Sequence, residues 1–334
     1  MAVKTVNVGF DTFVREFVDL DKDETTKARS SREWLYDQLK GFPVNVEDFP
    51  KLYSGNEIKG FGSFRRRTKI RPLDDIDFLL VFSGDGTTYT EYSVDEVVLN
   101  VPESTEKLRS LCNDEGKLNS IKVIEKIKKS LSNIPQYQKA EIHRRQEAVT
   151  LKMTSYDWNF DIVPAFITAE DNQGRSYYII PNGNGKWKKT DPRVDNERVK
   201  NTNQRFDSNV LGFIRLIKYW NCNSSVPKIS SYLMENIVLD YFDSKYTWLG
   251  RKEEIRDFFW DLKSSIYNSH YDPKGIQGDL NNLDFDTKWK ISNLAGNCYD
   301  YASEAIEFES QGMHKEAVEE WRKIFGDDFP EYED

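Results

Sequence analysis

Two aspartates separated by one residue, Asp75 and Asp77, head the apolar run DIDFLLVF. Alternate residues of a strand share a face, so both carboxylates project together while Ile76 enters the core. Two carboxylates held that close repel each other unless a cation lies between them. Mg²⁺ suits the position, being a hard ion that takes oxygen ligands and shares its octahedron with substrate phosphates; Mn²⁺ is the substitute. A two-metal phosphoryl-transfer site needs a third carboxylate from a neighbouring strand. Asp161 meets that need, set between Phe160 and Ile162 in a second apolar run, WNFDIVPAF.

Upstream, Gly62 and Ser63 offer a glycine turn with close backbone N–H groups and a hydroxyl, the means of holding a triphosphate. Between the two motifs lie Arg65, Arg66, Arg67, Lys69 and Arg71, with no acidic residue from 58 to 73. Taken singly, an Asp-x-Asp is a solvated pair at a strand start and a Gly-Ser is a turn. Together they form one pattern: Gly-Ser, twelve residues from Ser63 to Asp75, then the alternating aspartates running into FLLVF.

The elements that must position these groups are legible from periodicity. Phe10, Phe13, Val14, Phe17 and Val18 recur at helical spacing, and DKDETTKARSSREWLYDQLK continues as helix after a break. GFPVNVEDFPKLYSGN reads as loop, DIDFLLVF as a strand, and SGDGTTY as a turn. Ile121, Ile124, Ile127 and Leu131 predict a helix over 119–134 whose outer face carries Lys122, Lys126, Lys128 and Lys129, a solvated face by default. Two or three strands follow over 140–167, then polar loops around the short strand YYIIP; His143, Arg144 and Arg145 face either a nucleotide or water. From about residue 191 the chain turns helical to its last helix, WRKIFGDDFP. The expected class is therefore α+β, a mixed, antiparallel-leaning sheet followed by a helical half.

Composition narrows the chemistry. The chain has 334 residues and a net charge of −9, from 47 basic and 56 acidic residues. The 13% aromatic content argues for a packed core despite a mean hydropathy of −0.70. No run of about eighteen apolar residues suggests a membrane span, and MAVKTVNVGFDTFVREF lacks a signal-type apolar segment; a cytoplasmic protein is expected. Cys112, Cys222 and Cys298 lie far apart and read as buried structural thiols, and three histidines fall in no ligand motif. The acidic balance disfavours a surface that grips long nucleic acid.

The Gly-Ser and Asp-Ile-Asp pattern resembles the DNA polymerase β-like nucleotidyltransferases, and more narrowly the CD-NTases, bacterial relatives of cyclic GMP–AMP synthase and oligoadenylate synthase. LGFIRLIKYWN followed by KISSYLMENIVLDYF is similar to that family's helical domain. There a lysine and a serine reach the triphosphate and a tyrosine stacks on a base; here these would be Lys218, Ser231 and Tyr232. Residue by residue, Lys218 could instead snorkel from a half-buried helix, Ser231 could cap one, and Tyr232 could be core. The resemblance spans roughly residues 9–330 and implies a bilobed molecule. Residues 1–190 would form the nucleotidyltransferase core with an N-terminal spine helix, and 191–334 a helical domain closing the cleft.

The resemblance also implies the reaction. Asp75, Asp77 and Asp161 would bind Mg²⁺ and drive nucleotidyl transfer between NTPs (ATP, GTP, UTP or CTP), closing a cyclic di- or trinucleotide. Such products switch on a downstream effector in anti-phage (CBASS) signalling. A nucleic-acid or protein activator is compatible, but the zinc insertion of the animal DNA sensor has no counterpart. Two other readings use the same residues: a transferase acting on an RNA end or a protein, and a silent scaffold sensing nucleotide or RNA.

Overall fold

The computed structural model describes residues 2–333. The chain opens with β1 (Ala2–Val3), α1 (Val6–Phe13), a π-helical turn over Val14–Val18, and α2 (Lys22–Asn45). Then come β2 (Ile58–Gly60), α3 (Gly62–Arg66), β3 (Asp75–Phe82), β4 (Thr88–Ser93), β5 (Glu96–Asn100), α4 (Glu106–Arg109) and α5 (Ser120–Ser132). Strands β6 (Glu141–Arg145), β7 (Ala148–Lys152), β8 (Asn159–Ile167), β9 (Tyr178–Pro181) and β10 (Trp187–Thr190) complete the sheet. The remainder is α6 (Pro192–Arg205), α7 (Val210–Asn223), α8 (Ser231–Asp243), α9 (Arg251–Ser265), α10 (Phe285–Ser310), α11 (His314–Phe325) and β11 (Glu331–Tyr332).

These elements form two compact units. The first, a sheet unit, holds residues 22–66 and 73–196. Its strands run in the order β2-β3-β8-β9-β10-β5-β4, with β7 also pairing β8 and carrying β6. The sheet is mixed: β3 and β8 are parallel, whereas β2–β3, β7–β8 and β8–β9 are antiparallel. Strand β3 is half-exposed at Asp75 and Asp77 and buried from Phe78 to Phe82, as a central strand covered on both faces must be. Helix α5 buries Val123, Ile124, Ile127 and Leu131, and Asn119 caps it by accepting from the Ile121 and Lys122 N–H groups at 2.9 and 3.2 Å.

The second unit is helical and gathers, among the described residues, 2–21, 67–72 and 197–333. One apolar core runs through it. Phe10 packs edge-on to Trp321 (4.9 Å) and Phe329 (5.0 Å), and Phe13 to Tyr219 (4.9 Å), tying α1 to α7 and α11. The parallel β1–β11 pair sets Ala2 and Val3 beside Glu331 and Tyr332.

The α+β class and mixed sheet match the sequence reading; four details differ. Helix α2 runs on through Gly41 and Pro43 to Asn45, where loop was expected. Strand β4 (TYTEYS) is exposed at every position, so it carries no apolar alternation to betray it. Residues 187–190 form a strand because they pair with β9 and, at Trp187, with β5. Cys112 and Cys298 are buried as expected, but Cys222 is exposed. Among the described residues no helix is long and apolar enough to cross a membrane.

Candidate active site

Parallel pairing of β3 with β8 sets Asp77 directly beside Asp161, with Asp75 one alternate position away on the same face. Carboxylate oxygens of Asp75, Asp77 and Asp161 all lie within 4.8 Å of one another, and all three residues are half-buried. Three oxygen-only donors converging at a partly desolvated spot suit a hard divalent cation and no soft one. The residues fit a hard divalent metal ion.

Gly62 begins α3 at φ 73°, a backbone region that a side chain penalises. A Cβ placed there would lie 2.8 Å from Asp77 Cγ and closer still to its Oδ2. The missing side chain is therefore the space that the Asp77 carboxylate occupies. The Phe61 N–H donates to the Asp77 carbonyl at 3.2 Å, fixing the turn to β3. Ser63 follows as the second residue of α3, half-buried. The sheet unit thus brings together Gly62, Ser63, Asp75, Asp77 and Asp161.

One member of this cluster had no sequence signal. Thr150 on β7 is 2% exposed, and its hydroxyl donates to Asp161 Oδ1 at 2.6 Å. It stands opposite Asp161 in the β7–β8 ladder, a register that only the folded sheet reveals.

Lys218, Ser231 and Tyr232 belong to the helical unit. Lys218 is 4% exposed, and its ammonium donates to the Thr68 carbonyl at 2.8 Å. The Thr68 hydroxyl in turn donates to Glu235 Oε2 at 2.6 Å. Ser230, not Ser231, caps α8, accepting from the Leu233 N–H at 3.3 Å. Ser231 stands exposed at the first helical position, and its hydroxyl is not used in capping. Tyr232 is half-buried, its hydroxyl donating to Asp272 Oδ1 at 3.1 Å.

The basic stretch is divided between the two units. Arg65 and Arg66 end α3 in the sheet unit, whereas residues 67–72 belong to the helical one. There Arg71 donates to the carbonyls of Asp19 (3.0 Å) and Arg15 (3.4 Å), at the end of the π-helical turn. Lys122 and Lys126 of α5 likewise donate to the carbonyls of Cys112 (2.5 Å) and Glu47 (2.7 Å).

Comparison with known proteins follows the same line. The model of the Second Messenger Oligonucleotide or Dinucleotide Synthetase domain (SMODS) matches residues 108–203, a stretch that includes Thr150 and Asp161. A probable cyclic nucleotide synthase of Bacillus cereus (strain VD146) is 68% identical over 332 residues, covering 99% of this chain and all of the relative. Among solved structures, Escherichia coli MS115-1 CdnC with ATP superposes with a TM-score of 0.68 at 18% identity, over 96% of this chain and 98% of that one. Vibrio cholerae DncV cyclic AMP–GMP synthase, bound to the linear intermediate pppA(3′,5′)pG, gives 0.66 at 13% identity, over 98% and 97%. With an aspartate cluster on the sheet, this fold, and a relative identical at two positions in three along its whole length, the chain belongs to the CD-NTase family and is a nucleotidyltransferase.

Proposed function

We propose that this enzyme joins nucleoside triphosphates into a cyclic di- or trinucleotide in the cytoplasm of a bacterium, as the signal of a CBASS anti-phage response. The observation that carries the reading is the β3–β8 register, which pairs Asp77 with Asp161 and converges three carboxylates beside the Gly62 turn.

In this reading Asp75, Asp77 and Asp161 hold Mg²⁺, or Mn²⁺ in its place. When bound, such an ion neutralises triphosphate charge and acidifies the attacking ribose hydroxyl. Thr150 orients Asp161, and the Gly62 turn leaves room for the Asp77 carboxylate while Ser63 offers a hydroxyl to the phosphates. Lys218 and Ser231 contact the triphosphate, and Tyr232 stacks on a base. The hydroxyl of one nucleotide attacks the α-phosphorus of another in line, a new P–O bond forms, and the bond to the β-phosphate breaks to release pyrophosphate. A second transfer within the linear product closes the ring. The ring then activates a downstream effector, and a protein or nucleic-acid activator governs the rate.

The test is incubation with the four NTPs and Mg²⁺ or Mn²⁺, followed by mass spectrometry. A cyclic product that disappears in Asp75→Ala and Asp77→Ala is the expected result. Transfer only to added RNA or protein would replace the reading with end modification. Tight nucleotide binding without turnover, under every activator tried, would replace it with a sensing scaffold.

A further inference from the structure

Tyr232 sits in an unusual polar setting for a tyrosine in the first turn of a helix. Its hydroxyl donates to Asp272 Oδ1 at 3.1 Å and accepts from the Lys274 ammonium. That ammonium also donates to Asp272 Oδ1 at 2.8 Å and lies 4.3 Å from the centre of the Tyr232 ring, a cation–π distance. The Asp272 side chain is 0% exposed and that of Lys274 5%.

The aspartate is itself fixed. Its Oδ2 accepts from the Ile276 and Gln277 N–H groups at 3.2 and 3.0 Å, and its Oδ1 from the Lys274 N–H at 3.2 Å. The Asp272 N–H donates to the Gly278 carbonyl at 2.8 Å, closing the 272–278 turn around the carboxylate. Burial alone would raise the Asp272 carboxyl, but the Lys274 ammonium and the Gln277 N–H outweigh it and hold it below the usual range. It is therefore a carboxylate and an acceptor. Burying an ion pair is costly and does little for stability compared with apolar packing. Here the pair grips a single phenol from a turn forty residues downstream in sequence, so orientation is what it supplies.

We propose that Asp272 and Lys274 are positioning residues for Tyr232, locking its ring as a preformed stacking surface for the base of a bound nucleoside triphosphate. This rests on the reading that Tyr232 stacks on a base. A ring held in place before the ligand arrives loses less freedom on binding, and the gain appears as affinity for the base-bearing ligand. The triphosphate does not touch this device.

The experiment measures binding of non-hydrolysable ATP and GTP analogues, and separately of inorganic tripolyphosphate, all with Mg²⁺, to the full chain and four variants. Tyr232→Ala should weaken the nucleotide analogues about tenfold, the scale of one base–aromatic stack. Lys274→Met should weaken them severalfold and raise the KM for NTPs with kcat and tripolyphosphate affinity unchanged, while lowering the melting temperature because the buried Asp272 carboxylate loses its cation. Lys274→Arg should recover most of the loss. Tyr232→Phe, which keeps the ring and removes the tether without burying a new charge, should also weaken the analogues severalfold, and it serves if Lys274→Met does not fold. If Tyr232→Ala weakens the analogues but Lys274→Met and Tyr232→Phe do not, the positioning role is overturned and the stacking role stands. If Tyr232→Ala has no effect, both fall. Equal losses for nucleotide and tripolyphosphate in Lys274→Met would mark a merely structural pair and overturn the proposal.

Discussion

Thr150 donates its hydroxyl proton to Asp161 across the β7–β8 ladder at 2.6 Å. The bond occupies one oxygen of the carboxylate and sets the direction of the other. A group that orients a carboxylate in this way acts on whatever that carboxylate holds, and loss of such support typically costs ten- to a hundredfold in metal affinity or activity.

Thr150→Val keeps the shape of this buried side chain and removes its hydroxyl. The expected outcome is a turnover reduced about tenfold at low Mg²⁺ and partly restored at high Mg²⁺. Thr150→Ser should stay near wild type. Initial rates across a magnesium titration check this; a flat response to Thr150→Val would show that Asp161 needs no orienting partner.

Gly62→Ala tests the close approach of α3 to β3. Alanine at φ 73° carries a backbone penalty of about 1–2 kcal/mol, and its methyl would occupy the space of the Asp77 carboxylate. The expected result is a modest fall in melting temperature and a loss of turnover of about a hundredfold, since displacements near 1 Å cost that much at a reacting centre. Thermal melts and turnover on the same preparation separate the two effects. Wild-type turnover would mean that the space beside Asp77 is not used.

The helical unit should be acid-labile for an identifiable reason. Burial alone would raise the Asp240 carboxyl, but hydrogen bonds from His270 (2.6 Å) and Arg198 (2.5 Å) hold it below its ordinary range. Asp272 is likewise held low, by Lys274 and backbone N–H groups against its burial. As pH drops below about 4, the unfolded chain takes up these protons before the folded one does. Stability contributed by both groups is thus complete above that pH and is lost as pH falls toward the depressed native values. Urea midpoints between pH 3 and 7 should fall at the acid end, and Asp240→Asn should flatten the slope there while lowering the neutral plateau.

What was legible in the sequence was whatever depends on neighbours along the chain. Asp75 and Asp77 declare themselves through alternation with Ile76 and the run FLLVF, and Asp161 through the flanks of its own apolar strand. What was hidden depends on register or on distant segments. Nothing local marks Thr150 as the partner of Asp161, because β7–β8 pairing is a property of the sheet. Asp272 and Lys274 lie forty or more residues beyond Tyr232 and meet it only once the 272–278 turn has closed. Strand β4 stayed invisible because it is exposed at every position and so lacks the apolar pattern that reveals a strand.

The pair Ser230 and Ser231 gives the sharpest separation of stability from function. On sequence grounds Ser231 could cap α8, since it precedes YLMEN. The Ser230 hydroxyl accepts from the Leu233 N–H at 3.3 Å, so Ser230→Ala should cost about 1 kcal/mol of stability, the usual value of an N-cap. Ser231 is exposed at the first helical position, where a hydroxyl at the positive end of the helix dipole suits an anion. Ser231→Ala should therefore leave the urea midpoint unchanged and raise the KM for NTPs severalfold. Ser230→Ala should do the opposite, lowering the midpoint with KM nearly constant. Unfolding curves and steady-state kinetics on both variants decide the assignment. A Ser231→Ala variant with wild-type KM would remove this serine from the proposed triphosphate contacts.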